Sequence, residues 1–156
     1  MKKQAIFFVA IVCVGIAVGV FFVYRAKLLP VGQATGEFGG VSLRIDYATT
    51  EAEREKGLGG RTNVPNDYGM LFVFPRDEQY GFWMKDMSVP IDIFWLDDKG
   101  QVVSIAQDVA PSSYPNVFYP IVPARYVLET ISGFAQAHNI ATGTPLLLKN
   151  FPSVSQ

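Results

Sequence analysis

In the segment VSLRIDYA, Val41, Leu43, Ile45 and Tyr47 alternate with Ser42, Arg44, Asp46 and Ala48, the period of a strand with one buried face. The period then changes. Thr50, followed three residues later by Glu53, makes a capping box, with Glu51 and Glu53 at the positive end of a short helix and Arg54 and Lys56 further along. The glycines of GLGG, residues 57–60, stop that helix, because glycine reaches positive φ without a side-chain clash. Apolar runs follow at GMLFVF (69–74), YGFWMKDM (80–87), IDIFWL (91–96) and QVVSIAQ (101–107), separated by PRDEQ, Pro90 and the turn DDKG, and they read as strands with tight connections. Residues 108–123, DVAPSSYPNVFYPIVP, are too long for a tight turn and form a candidate binding or lid loop. RYVLET is a further strand, Ser132 caps a short helix through GFAQAH, and PLLLK is the last strand, after the turn ATGT. Seven short strands and two short helices predict a β-rich α+β fold, a compact antiparallel β sandwich or partly open barrel. Parallel βαβ winding does not fit that pattern.

One run has neither period. From Ala5 to Tyr24 the sequence AIFFVAIVCVGIAVGVFFVY carries no charge, and about 20 such residues in a helix span a bilayer core of roughly 30 Å. Lys2 and Lys3 precede it and Arg25 and Lys27 follow, a slight bias toward a cytoplasmic N-terminus. The expected organisation is one transmembrane helix as an anchor within residues 1–24, an irregular linker over 25–36, and a single β-rich soluble domain over 37–156 on the extracytoplasmic side of the cell membrane. A signal peptide is the competing reading and would make the domain secreted, but Tyr24 stands where a peptidase needs a small residue. Cys13, the only cysteine, lies in the apolar run, so the outer domain forms no internal disulfide.

Composition removes several function classes. With Lys+Arg 13 against Asp+Glu 14, a net charge of −1 and no polybasic run, the chain has no electrostatic footprint for nucleic acid. The outer domain has a single histidine, His138, and no cysteine, so no zinc or copper site is expected. DDKGQ lacks the ligand run of an EF-hand and reads as a hairpin turn. GLGGR follows a helix, the wrong context for a phosphate loop or dinucleotide fingerprint. No cofactor and no metal are expected.

The chemistry that remains is a set of charges inside apolar segments. Strand alternation places Lys85 with Trp83 and Met87, and Asp92 with Phe94 and Leu96. An isolated buried charge is costly, so each needs a partner or a wet cleft. Arg125 and Glu129 share a face of RYVLET, and Arg61 follows GLGG. The expected site is one polar cluster of Arg61, Lys85, Asp92, Arg125 and Glu129. Against it stands a structural ion network, with Lys85 running its stem along tryptophan and Asp92 capping a turn. Phe82, Trp83, Phe94 and Trp95 read as core, whereas Tyr114 and Tyr119 in the long loop are the better ligand contacts.

EKGLGGR (55–61), GMLFVF (69–74), FWMKDMSVPIDIFWLDDKGQVVSI (82–105), PARYVLE (123–129) and GFAQAHNIATGT (133–144) occur in the order and spacing of one family. The chain resembles the domain of unknown function 192 family, uncharacterised proteins of bacteria and archaea, across almost the whole soluble domain. Gly59 and Thr144 depart from the residues usual there, Met or similar and Asp. The resemblance implies a compact β-rich fold and no reaction.

Three functions fit these residues. The leading one is a membrane-anchored extracytoplasmic module, held through residues 5–24, whose Arg/Lys rim binds a polar or anionic envelope ligand or an envelope protein. An acid/base hydrolase acting on a cell-envelope glycan or similar polar substrate would use Asp92 and Glu129 as its catalytic pair. A non-catalytic scaffold would accept a partner strand at a sheet edge.

Overall fold

The alternation of VSLRIDYA is realised as a strand over Val41–Ala48, and Gln33–Phe38 folds back against it through Gly39 and Gly40, both at positive φ. The computed structural model describes residues 33–154; the expected anchor, and the linker as far as residue 32, lie outside the described residues. In chain order the elements are β1 (Gln33–Phe38), β2 (Val41–Ala48), α1 (Glu51–Lys56), β3 (Tyr68–Glu78), β4 (Phe82–Trp83), β5 (Ile91–Leu96), β6 (Val102–Val109), β7 (Val117–Phe118), β8 (Ala124–Ile131), α2 (Phe134–Ala137) and β9 (Leu146–Leu147). Residues 33–36, expected as linker, are strand. Among the described residues no helix is long and apolar enough to cross a membrane.

Seven strands form one sheet in the order β6-β5-β8-β3-β2-β1-β9. Its two outer strands approach each other where Gln101 bridges Pro145 and the Val102 N–H donates to the Thr144 carbonyl at 3.0 Å. The sheet is therefore curled into a half-barrel, and the expected partly open barrel is the form the fold takes. One expectation is corrected: β2 and β3 run parallel, joined by the crossover that contains α1. The capping box on α1 is present, with the Glu53 N–H donating to Thr50 Oγ1 at 3.3 Å and the Thr50 N–H to Glu53 Oε2 at 2.9 Å. Together with the Thr49 N–H, that bond holds the Glu53 carboxyl down to about 2.

Two apolar layers lie on the two sides of the sheet. Inside the curl, Phe38, Leu43, Ile45, Leu71, Phe94 and Leu128 pack with Phe134 and Ala135 of α2. Phe38 meets Phe94 edge-on at 5.0 Å and stacks on Phe134 at 5.9 Å, pairs that contribute beyond their buried area. Outside it, Phe72, Ile93, Trp95 and Val127 are covered by Leu58, Phe82 and Met84 from the connecting segments. Phe82 meets Phe72 edge-on at 4.9 Å, and the Trp95 Nε1–H donates to the Tyr80 carbonyl at 2.9 Å. This outer layer makes both faces of the central strands apolar, which is why all six positions of β5 are buried.

The strand expected over 80–87 shrinks to β4, two residues paired with β7 in a small separate ribbon. Asp86 takes φ +58, and the Met87 N–H returns to the Met84 carbonyl, so the chain turns there instead of continuing. Ser132 is not the cap of α2 either. Gly133 occupies that position without a side-chain bond, and the Ser132 hydroxyl donates to Asp108 Oδ1 at 2.6 Å.

Candidate functional site

Asp92 and Glu129 lie on adjacent strands, and the register between them decides what they can share. Asp92 stands opposite Thr130, and Glu129 opposite Ile93. Side chains alternate along a strand, so the two carboxyls leave the sheet on opposite faces. The expected acid/base pair is not assembled.

Asp92 points into the curl and is 1% exposed. Its Oδ1 accepts the Asp108 N–H and its Oδ2 the Ala135 N–H, both at 2.8 Å. Ala135 is in the first turn of α2, whose N-cap glycine leaves the helix without a side-chain acceptor. A carboxylate from β5 thus does the work of a capping residue and ties α2 to the sheet. Both of its oxygens are occupied by the fold.

Glu129 points outward, is 5% exposed, and its Oε2 is buried without a hydrogen-bond partner. Burial alone pushes this carboxyl up to about 8. At neutral pH it is then mostly protonated and can donate a hydrogen bond as well as accept one. It lines a cleft of about 410 Å³ bounded by the C-terminal end of α1, the aromatic side chains of β3 and the 80–87 segment. Gly57 shapes this wall: it sits at φ +48, and a Cβ there would lie 3.1 Å from Phe72 Cζ and 3.7 Å from Glu129 Oε2. A larger residue would be strained in that conformation and would press on both.

Lys85 belongs to this cleft, although not as a strand residue. The turn after β4 places it on the exposed rim, corrected from the buried position that alternation implied. The turn is tied to the GLGG loop by the Gly60 N–H, which donates to the Asp86 carbonyl at 2.8 Å. Lys56, at the end of α1, lines the same cleft. Among the described residues neither lysine forms an ion pair. Arg54 is committed elsewhere, donating from Nη1 to the Thr49 carbonyl at 2.6 Å and the Val73 carbonyl at 3.0 Å.

The remaining expected members lie apart. Arg61 stacks over Tyr68 at 4.8 Å and reaches Asp46 Oδ2 at 3.4 Å, while the Tyr68 hydroxyl donates to the same oxygen at 2.7 Å. Burial and that bond push the Tyr68 phenol up. Arg125 pairs with Asp77 at 2.5 Å. Four residues of strand separate it from Glu129, roughly 13 Å. Tyr114 and Tyr119 are exposed and do not line the cleft. The five-residue cluster therefore reduces to Lys85 and Glu129, with Lys56 added.

Asp46 is the polar residue that sequence reasoning passed over. Asp46 stands opposite Met70, and Met70 opposite Glu129, so both carboxyls project from one face with a methionine between them. Asp46 Oδ1 is also buried without a partner. The signal available was its place in β2 beside the GLGG crossover. Alternation in β2 sets it on the side opposite Leu43 and Ile45, and the residues that cover that side come from other segments of the chain.

The sequence profile of one family, DUF192, described as Uncharacterized ACR, matches residues 33–148. Among solved structures, a protein of unknown function from Novosphingobium aromaticivorans DSM 12444 is 28% identical with a TM-score of 0.68, covering 77% of this chain and 90% of its own. A candidate transcription regulator from Sinorhizobium meliloti 1021 is 26% identical with a TM-score of 0.67, covering 73% of this chain and 90% of its own. No curated protein matches the chain.

Proposed function

Since the chain belongs to the DUF192 family, which is uncharacterised and supplies a fold without a reaction, we propose that its β-rich domain is a binding module for a polar ligand carrying an anionic group. The observation that carries this is the buried, unpartnered Oε2 of Glu129 in an open cleft. Buried polar atoms are nearly always satisfied, and one left free beside a cavity is a place for a ligand atom. A protonated Glu129 donates to a ligand oxygen, and Lys56 and Lys85, without ion-pair partners among the described residues and on a rim that also carries Glu51 and Glu55, meet its negative charge. Residues 5–24 hold the module on the outer face of a membrane, where envelope sugar acids and acidic peptides supply such groups.

The hydrolase reading loses its second carboxylate, because Asp92 faces the other way and both its oxygens are occupied. Transcription regulation, named for the Sinorhizobium structure, finds no basic excess here, with Lys+Arg 13 against Asp+Glu 14.

The test is calorimetric titration of the full chain in detergent with glucuronate and N-acetylmuramic acid, using glucose and N-acetylglucosamine as uncharged controls. The sugar acids are expected to bind, and their affinity to fall as pH rises through about 8, where Glu129 ionises and repels them. Glu129→Gln should remove that pH dependence. Affinity that is the same in wild type and Glu129→Gln at every pH would move the ligand away from this cleft.

A further inference from the structure

We propose that the β4–β7 ribbon and the turn after it rest in the headgroup layer of a lipid bilayer. This goes beyond ligand binding and rests on residues 5–24 being a membrane span.

The ribbon presents apolar side chains to water. Trp83 pairs with Val117 across it, and both are exposed. Tyr119 lies against Gly81, where an added Cβ would be 2.6 Å from Tyr119 Cε1 and from Val117 Cγ1. Beyond it Ile121 is 80% exposed and Val122 42%. A lone exposed hydrophobe is ordinary, whereas a contiguous group marks a contact surface. Residues 109–123 carry no charged side chain, which suits lipid better than a partner recognised through a charged rim. Tryptophan and tyrosine with aliphatic neighbours is the composition that settles at a membrane–water boundary.

The exposed pair is held in place by the fold. The Gln79 side-chain amide donates to the Pro120 carbonyl at 3.0 Å, and Ala124 stands opposite Glu78, so Ile121 and Val122 are fixed at the C-terminal end of β3, next to the ribbon.

The chain has only two tryptophans, and Trp95 is 1% exposed, so the difference between wild type and Trp83→Phe isolates Trp83 emission. The experiment reconstitutes the full chain into phosphatidylcholine vesicles with and without bromine on the acyl chains near the headgroup. Trp83 emission is expected to shift to shorter wavelength and to fall by about half with brominated lipid, as for a ring at the interface. Replacing Ile121 and Val122 together by Glu should abolish the quenching while leaving the melting temperature unchanged, since both side chains are exposed. A chain that fails to float with vesicles overturns the span and this surface together. A floating chain whose Trp83 emission is unquenched overturns the surface alone, and a blue-shifted but unquenched emission does so by showing that protein covers it. The cleft titration in detergent is independent of all these outcomes.

Discussion

Asp92 and Glu129 are both carboxyls buried in the middle of one sheet, on neighbouring strands, and they face opposite fates. Inside the curl, Asp92 accepts two backbone N–H groups, one at each oxygen, and so is held as part of the scaffold. On the outer face, Glu129 Oε2 has none, and burial pushes its carboxyl up to about 8. Burial by itself therefore says little about function. What separates a structural carboxyl from a working one is whether the fold completes its hydrogen bonds.

The largest expected effect breaks the inner side of that comparison. Asp92→Asn keeps the shape but replaces one acceptor oxygen by an NH₂ group, which confronts a backbone N–H and leaves it unsatisfied in a dry site. Loss of a charge-assisted bond and a stranded donor together should lower stability by about 2–4 kcal/mol. Urea unfolding of the full chain measures it, and α2 should gain hydrogen exchange first because its cap is gone. An unchanged midpoint would show that Asp92 is as dispensable to the fold as Glu129 is expected to be.

The outer side should respond with the opposite sign, and only above about pH 4.5. Glu129 binds its proton more tightly folded, near 8, than unfolded, near 4.5. Below pH 4.5 both states are protonated and no penalty exists. Between 4.5 and 8 the unfolded state releases the proton while the folded state keeps it, so stability falls as pH rises and levels off above 8. Glu129→Gln is neutral throughout, and relative to wild type it should be stabilising by up to a few kcal/mol at pH 9 and by nothing at pH 4. Unfolding midpoints of both proteins across that range test it. A destabilising effect at pH 9 would mean that Glu129 is satisfied in solution and would merge the two carboxyls into one structural class.

Much of this was legible in the sequence, and the rest was hidden for identifiable reasons. β2, β5, β6 and β8 follow from apolar patterning, α1 from its capping box, and the partly open barrel from the number of short strands. β1 escaped because its alternation is muted: Gly36 sits where Ile45 and Leu148 side chains leave no room, with an added Cβ 2.6 Å from Leu148 Cδ2. The parallel pairing of β2 with β3 escaped because pattern reports which residues are buried, not which strand lies beside which. The same gap dispersed the expected cluster. The sequence marks Asp92 and Glu129 as charges among apolar residues, but only register shows that they face apart. Lys85 reached the cleft by a turn at Asp86 that nothing in a run of strand formers announces.

Arg125 sharpens the comparison from outside it and carries the smallest expected effect. Alternation put it on the Glu129 side of β8, and that much holds, yet its guanidinium is taken up by Asp77 with both side chains about a third to a half exposed. Water screens such a pair and ordering two long side chains offsets part of its attraction, so Arg125→Ala should change stability by about 0–1 kcal/mol. It should also leave sugar-acid affinity unchanged, since Arg125 is remote from Glu129 along the strand, whereas Lys85→Ala should weaken binding. Running both variants in the same titration separates a charge that happens to share a strand face from one that the fold delivers to the cleft. If Arg125→Ala weakened binding as much as Lys85→Ala, the Asp77 pair would have to open on binding and the site would extend along β8 to the end of the sheet.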